Sequence, residues 1–176
     1  MSVEALTAQF GDFAKDIILN LSTVLTEGGA PDLTAVQIAG VALASAYATR
    51  DKSVVTAIEV ECAANLDLAT IRGAKASATI MAMNNIYYRF LHNVPDEELK
   101  KLPARLRMNV IGHPGIPKAD FELMSLAVSS INGCGMCMES HAHELTKAGV
   151  SKTGIQSAIR IAAVINAAAQ AVTLAA

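Results

Sequence analysis

Two of the three cysteines in this 176-residue chain, Cys134 and Cys137, are separated by two residues, and His141 follows four residues after the second. Within the run Ile131-Asn132-Gly133-Cys134-Gly135-Met136-Cys137-Met138-Glu139-Ser140-His141, that spacing describes a dithiol with a base of its own. The thiolate is the reactive form of cysteine. A helix N-terminus or a Cys-x-x-Cys setting lowers a thiol pKa from about 8.5 into the range of roughly 3.5–7.5. Such a pair attacks peroxides or disulfides near neutral pH.

Gly133 releases the chain from one helix just before the next begins, which predicts Cys134 in a first turn and Cys137 one turn later. At about 100° per residue, Cys134, Cys137 and His141 fall at roughly 0°, 300° and 340°, on one narrow helix face within reach of one another. His141 lies one turn beyond Cys137 and is the better placed to take its proton. That favours Cys137 as nucleophile and Cys134 as its partner in an intramolecular disulfide. Unpaired N–H groups at the helix N-terminus favour Cys134 as the thiolate instead, so spacing leaves both assignments open. His143, at roughly 180° on the same wheel, faces away from the sulfurs. Gly149 stops the helix after Lys147.

Glu122, twelve residues before Cys134, stands on the preceding helix and can orient His141 across the short connection. A carboxylate behind an imidazole raises its basicity and fixes its tautomer. It equally suits the acid-favouring first turn of a helix that begins after Pro117. Cys134, Cys137 and His141 also share the ligand types of a structural zinc site, with Cys62, His113 or Glu122 as the fourth donor that tetrahedral zinc needs. Cys62 itself, in Val60-Glu61-Cys62-Ala63-Ala64, reads as a small buried hydrophobe. Most methionines read as core filler. Asn84, Asn85, Tyr87 and Tyr88 are candidates for the approach to the site, or for core and subunit contacts.

These residues sit in an all-α chain. Apolar residues recur at three- and four-residue spacing with few alternating runs, which predicts helices over about Val3–Leu21, Asp32–Thr49, Ser53–Ala64, Asp67–Leu91, Asp96–Leu102, Phe121–Ile131, Cys134–Lys147 and Ser151–Leu174. A thioredoxin-like fold needs strands around its dithiol, and none is predicted. Gly28-Gly29-Ala30-Pro31 separates the first helix from the second, with Asp32 able to accept from the new N-terminal amides. His113-Pro114-Gly115-Ile116-Pro117 is the strongest breaker. It divides the chain into halves, about 1–112 and 113–176, that are weakly alike at a shift of 85 residues, as an internal duplication of helical units would produce. Cys134 and Cys137 then correspond to Thr49 and Lys52, so only the second half carries chemistry.

One domain spanning residues 1–176 is the size expectation. The net charge of -2 with scattered acids and bases gives no basic stripe for nucleic acid and no polybasic tail for a membrane. Uninterrupted apolar runs stay short of a membrane span; Ile161 to Ala176 comes closest but is broken by Asn166, Gln170 and Thr173, and reads as a buried helix. With Glu4 and Asp12 near its start, the N-terminus does not read as a signal peptide. Three cysteines are poor material for a disulfide scaffold, and in a reducing cytoplasm a Cys-x-x-Cys is more often catalytic or metal-binding.

Glu122, eleven intervening residues, and then Cys134-x-x-Cys137-x-x-x-His141 resembles the pattern of the alkylhydroperoxidase D (AhpD) family. Leu106-Arg107-Met108-Asn109-Val110-Ile111, Pro114-Gly115-Ile116-Pro117-Lys118-Ala119, Ala127 to Cys134, Met83-Asn84-Asn85 and Phe13-Ala14-Lys15-Asp16 extend the likeness over essentially the whole chain. The resemblance implies an all-helical, trimer-forming protein of the carboxymuconolactone-decarboxylase-like superfamily. It implies a dithiol that reduces the oxidised peroxiredoxin AhpC and hydroperoxides with no bound cofactor. Dihydrolipoamide held on a dehydrogenase-complex protein would reduce that dithiol in turn. On the same grounds Cys137 forms the sulfenic acid, Cys134 is proton donor and disulfide partner, and Glu122 and His141 form the relay. One position departs from the pattern: members of the family can carry a histidine just before the second cysteine, where this chain has Met136, and a thioether cannot shuttle protons. A decarboxylase of the same superfamily would not need the paired cysteines. An interaction module burying Ala-rich faces between subunits would need no chemistry at all.

Overall fold

A computed structural model describes residues 1–175, and among them every regular element is helical. The order is α1 (Val3–Thr7), α2 (Lys15–Val24), α3 (Ala35–Thr49), α4 (Lys52–Glu61), α5 (Leu68–Asn93), α6 (Glu97–Lys101), α7 (Asn109–Gly112), α8 (Lys118–Ile131), α9 (Gly135–Lys147) and α10 (Lys152–Ala175). Short 3-10 turns at Asp12–Ala14 and Ala63–Asn65 link neighbouring helices.

The centre is α3, packed against α5, α8 and α10. Nine consecutive residues from Ile38 to Ala46 are buried. A helix apolar on all sides must be enclosed on all sides, and the alanines and Gly40 keep it thin enough for three neighbours to approach. The apolar core is continuous from Val3 to Ala168. In the second half, α8, α9 and α10, of 14, 13 and 24 residues, follow the order of α3, α4 and α5, of 15, 10 and 26. By length and composition α10 could cross a membrane. Here Gly154, Ser157, Ala158, Ile161, Ala162, Ile165, Ala168 and Ala171 form its buried face, at the three- and four-residue spacing of a core-facing helix.

Several boundaries differ from the sequence expectation for local reasons. The first predicted helix is two, because the chain leaves helical geometry between Ala8 and Gly11. Asp32 does not cap α3. It adopts a left-handed φ of 65° and its carboxylate accepts from Ser151 Oγ at 2.8 Å, while Thr34 and Gln37 form a reciprocal capping box at the N-terminus of α3, a better match to the orphan amides than a lone carboxylate. The predicted Ser53–Ala64 helix ends at Glu61 in a 3-10 turn. The helix predicted from Phe121 begins at Lys118, immediately after Pro117, whose missing N–H costs nothing at a helix start. Glu122 is therefore in the second turn, and Asp120 is the acidic residue of the first.

Between α5 and α8 runs a buried polar seam. Ser77 and Ser125 hydroxyls meet at 3.2 Å, Asn85 Nδ2 donates to Ser129 Oγ at 2.9 Å, and Asn132 Nδ2 donates to Asn85 Oδ1 at 2.9 Å. Arg89 closes the seam by donating to the Asn132 carbonyl at 2.6 Å. Buried polar pairs of this kind fix one register, and this register holds the α8–α9 turn against α5.

Candidate active site

After α8, Gly133 takes a left-handed φ of 69° and turns the chain so that Cys134 N–H donates to the Ser129 carbonyl at 3.0 Å. Cys134 does not enter the first turn of α9, as spacing suggested, but stands one residue before it in extended geometry as the N-cap. Its sulfur accepts from Cys137 N–H at 3.3 Å, satisfying one of the orphan amides. The two cysteines are joined in a disulfide, with Cα atoms 5.3 Å apart.

The two sulfurs are not equivalent. Cys134 is completely buried, whereas Cys137 lines a cavity of about 520 Å3 together with Met81, Asn84, Met136 and His141. That asymmetry bears on the two assignments left open by spacing. Cys137 is the sulfur that lines the cavity, and Cys134 is the one at the helix N-terminus that spacing favoured as the thiolate.

His141 sits on the cavity wall, buried, with both ring nitrogens engaged. Nδ1 faces Glu122 Oε2 at 2.5 Å and Nε2 lies 3.3 Å from Met81 Sδ. Neither nitrogen hydrogen-bonds a cysteine sulfur, so the direct reach expected from the helical wheel is not realised in the disulfide form. Glu122 is also buried, and its other oxygen, Oε1, pairs with Lys118 Nζ at 2.6 Å. Burial pushes the Glu122 carboxyl up, but hydrogen bonds and charge from His141 and Lys118 outweigh it and leave the pKa below the ordinary carboxylate value. An ionised carboxylate only accepts, so Nδ1 carries a proton; a thioether also only accepts, so Nε2 donates to Met81 Sδ when protonated and is the ring nitrogen whose proton can exchange.

Lys118 and Met81 are members of this constellation that the sequence reading passed over. Lys118 had a signal: once α8 starts at residue 118, it stands four residues before Glu122 on the same face. It also donates to the Ile111 carbonyl at 2.6 Å, which fastens the loop before α8. Met81 read as filler and is indeed buried, yet it touches the imidazole 60 residues away.

Of the other candidates, Asn84 and Tyr88 line the cavity. Asn85 belongs to the α5–α8 seam, and Tyr87 packs edge-on against Tyr88. His143 is exposed. Cys62 is a buried free thiol in a separate cavity beside Leu25 and Ile38, and burial followed by the nearby Glu61 charge pushes its pKa up to about 11. Among the described residues no three His, Cys, Asp or Glu side chains are grouped to hold a metal ion.

Known proteins match this arrangement along most of its length. Residues 97–176 fit the model of the carboxymuconolactone decarboxylase family. A Coxiella burnetii protein named alkyl hydroperoxide reductase AhpD is 57% identical over 162 residues, 92% of both chains. Proteins of the same name from Rhodospirillum centenum and Bradyrhizobium sp. are 53% and 49% identical, over 96% and 100% of this chain and 89% and 96% of their own. The chain belongs to the AhpD family. Its fold is all-α, and Met136 stands half-buried on the cavity wall beside Cys137. Among the described residues, His141 is the only imidazole on that wall.

Proposed function

We propose that this protein is an antioxidant alkyl hydroperoxide reductase that works through the Cys134–Cys137 dithiol and also reduces the disulfide of the peroxiredoxin AhpC. Its reductant is dihydrolipoamide carried on a dehydrogenase-complex protein. The observation that supports this reading most is the pairing of a buried N-cap sulfur with a cavity-facing one, beside a histidine held by a carboxylate.

In the reduced protein Cys137 loses its proton towards His141, whose Nδ1–H is held by Glu122, and the thiolate attacks the terminal oxygen of a hydroperoxide. The sulfur–oxygen bond forms, the oxygen–oxygen bond breaks, and the alkoxide takes a proton to leave as the alcohol. Cys134 then displaces the hydroxyl of the Cys137 sulfenic acid as water and closes the disulfide. With an AhpC disulfide, Cys137 attacks sulfur instead, and Cys134 releases the reduced partner. One thiolate of dihydrolipoamide attacks Cys137 Sγ, Cys134 leaves as the thiolate capping α9, and the second lipoyl thiol completes the exchange. The family resemblance supports a homotrimer in the cytoplasm. With Met136 in place of a second imidazole, direct peroxide turnover is slower than disulfide exchange.

The test is turnover of cumene hydroperoxide and of oxidised AhpC with dihydrolipoamide as the sole reductant, for native protein, Cys134→Ser and Cys137→Ser. Both variants should lose turnover. Undiminished catalysis by the double serine variant would favour a decarboxylase-type enzyme that does not use the sulfurs.

A further inference from the structure

Asn84 is a buried amide with nothing to bond to. It is 4% exposed and lines the cavity that Cys137 faces. Its Oδ1 has no hydrogen-bond partner and is the one such buried side-chain atom among the described residues. Its Nδ2 takes no part in the hydrogen bonds that occupy its neighbours, since Asn85, one residue on, spends its own amide on Ser129 and Asn132. Leaving a buried polar atom unpaired costs about 1–3 kcal/mol, and such orphans call for a specific reason.

Of the other polar groups around the cavity, Ser140 is exposed to solvent and Glu144 pairs with Lys147, and the rest are already committed. Lys118 is held by Glu122 and the Ile111 carbonyl. Tyr88 OH lies 3.8 Å from Met108 Sδ, and His141 is shared between Glu122 and Met81. Thioethers at Met81, Met108 and Met136 donate no hydrogen bond. Asn84 stands on the same face of α5 as Met81, three residues on, and Met81 touches the imidazole. The uncommitted carboxamide is therefore within the reaction chamber and not at its mouth.

We propose that Asn84 binds the reacting oxygens of the hydroperoxide. A carboxamide presents an acceptor and a donor side by side, and R–O–O–H presents a donor and an acceptor on adjacent oxygens. The hydroperoxide O–H donates to Asn84 Oδ1, and Nδ2–H donates to the oxygen bearing the alkyl group. As Cys137 Sγ bonds the terminal oxygen and the O–O bond breaks, the electron pair moves to the alkyl-bearing oxygen, where Nδ2–H supports the developing alkoxide. The alkoxide then takes the proton that Cys137 gave up, and the products are the Cys137 sulfenic acid and the alcohol. The alkyl group rests on the thioethers and Ile111. This assignment rests on the proposed hydroperoxide reductase activity.

The experiment compares two oxidants of the reduced protein in single-turnover stopped flow: cumene hydroperoxide, and oxidised lipoamide, which needs no contact to an O–O–H group. Asn84→Leu should oxidise at least about tenfold more slowly with hydroperoxide, the rate equivalent of one lost hydrogen bond, and within twofold of native with oxidised lipoamide. Asn84→Ser, which keeps a donor and acceptor, should recover part of the hydroperoxide rate and serves if the leucine variant fails to fold. Equal slowing with both oxidants would make Asn84 a structural residue and overturn the proposal, as would slowing with lipoamide alone or native rates with both. A native protein that reacts with oxidised lipoamide but never with hydroperoxide would overturn the peroxidase reading itself.

Discussion

Lys118 and His141 grip opposite oxygens of one buried carboxylate, Nζ 2.6 Å from Glu122 Oε1 and Nδ1 2.5 Å from Oε2. The lysine supplies charge, the histidine carries the proton, and Glu122 transmits the orientation. Its folded pKa lies below the ordinary value of 4.5, so the folded state holds the ionised form better than the unfolded chain does. The resulting stability is fully present above about pH 4.5 and is lost as pH falls through the lower, folded pKa. Melting temperature measured from pH 3 to 7 should rise with pH in the native protein and rise less steeply in Glu122→Gln.

Lys118→Met removes one of the two partners that offset the burial of Glu122. The carboxyl pKa then moves up, His141 loses its ionised anchor over more of the acid range, and the acid limb of the rate of Cys137 oxidation moves to higher pH. Stopped-flow oxidation at several pH values reads this. An acid limb unchanged in position would show that Lys118 merely decorates the rim.

Cys62 should behave as the opposite of Cys137. With its thiol pushed up to about 11 from 9.0, the unfolded chain ionises first, so the stability it carries is intact below about pH 9 and is lost as pH rises towards 11. Cys62→Ala should flatten the alkaline fall of the melting temperature. In the reduced native protein, iodoacetamide should label Cys137 first and leave Cys62 unmodified until the protein unfolds.

Gly133 is the hinge of the site. An alanine there must hold a φ of 69°, which costs about 1–2 kcal/mol and lowers the melting temperature by about 2–8 °C. The larger effect is on geometry: relaxing φ carries Cys134 off the α9 N-cap, so the disulfide should form more slowly after Cys137 is oxidised. Accumulation of trapped sulfenic acid in Gly133→Ala, read with a dimedone label, checks this.

Contacts between neighbours in the chain were legible in the residues themselves. Helical periodicity correctly faced His143 away from the sulfurs, and Gly149, at φ 82°, ends α9 as foreseen. The Glu122–His141 pair was raised by the placement of Glu122 on the preceding helix and supported by the family resemblance, while spacing alone also left Glu122 a first-turn role. Asn84 was named for the approach to the site and lines the cavity, whereas Met81 was obscured because its contact with His141 arises from α5 packing against α9, which no local pattern encodes. Cys134 was misplaced by one residue because the left-handed turn at Gly133 consumes a position that a helical wheel counts as helix. Asp32 was misread because its partner, Ser151, lies 119 residues away.

The central claim is that Cys137 meets the oxidant and Cys134 closes behind it. Treating reduced Cys134→Ser with one equivalent of cumene hydroperoxide and mapping the product by peptide mass should find a single added oxygen on Cys137, with none on Cys62. Oxygen on Cys134 in the reciprocal Cys137→Ser protein, formed as fast as on Cys137, would contradict the account.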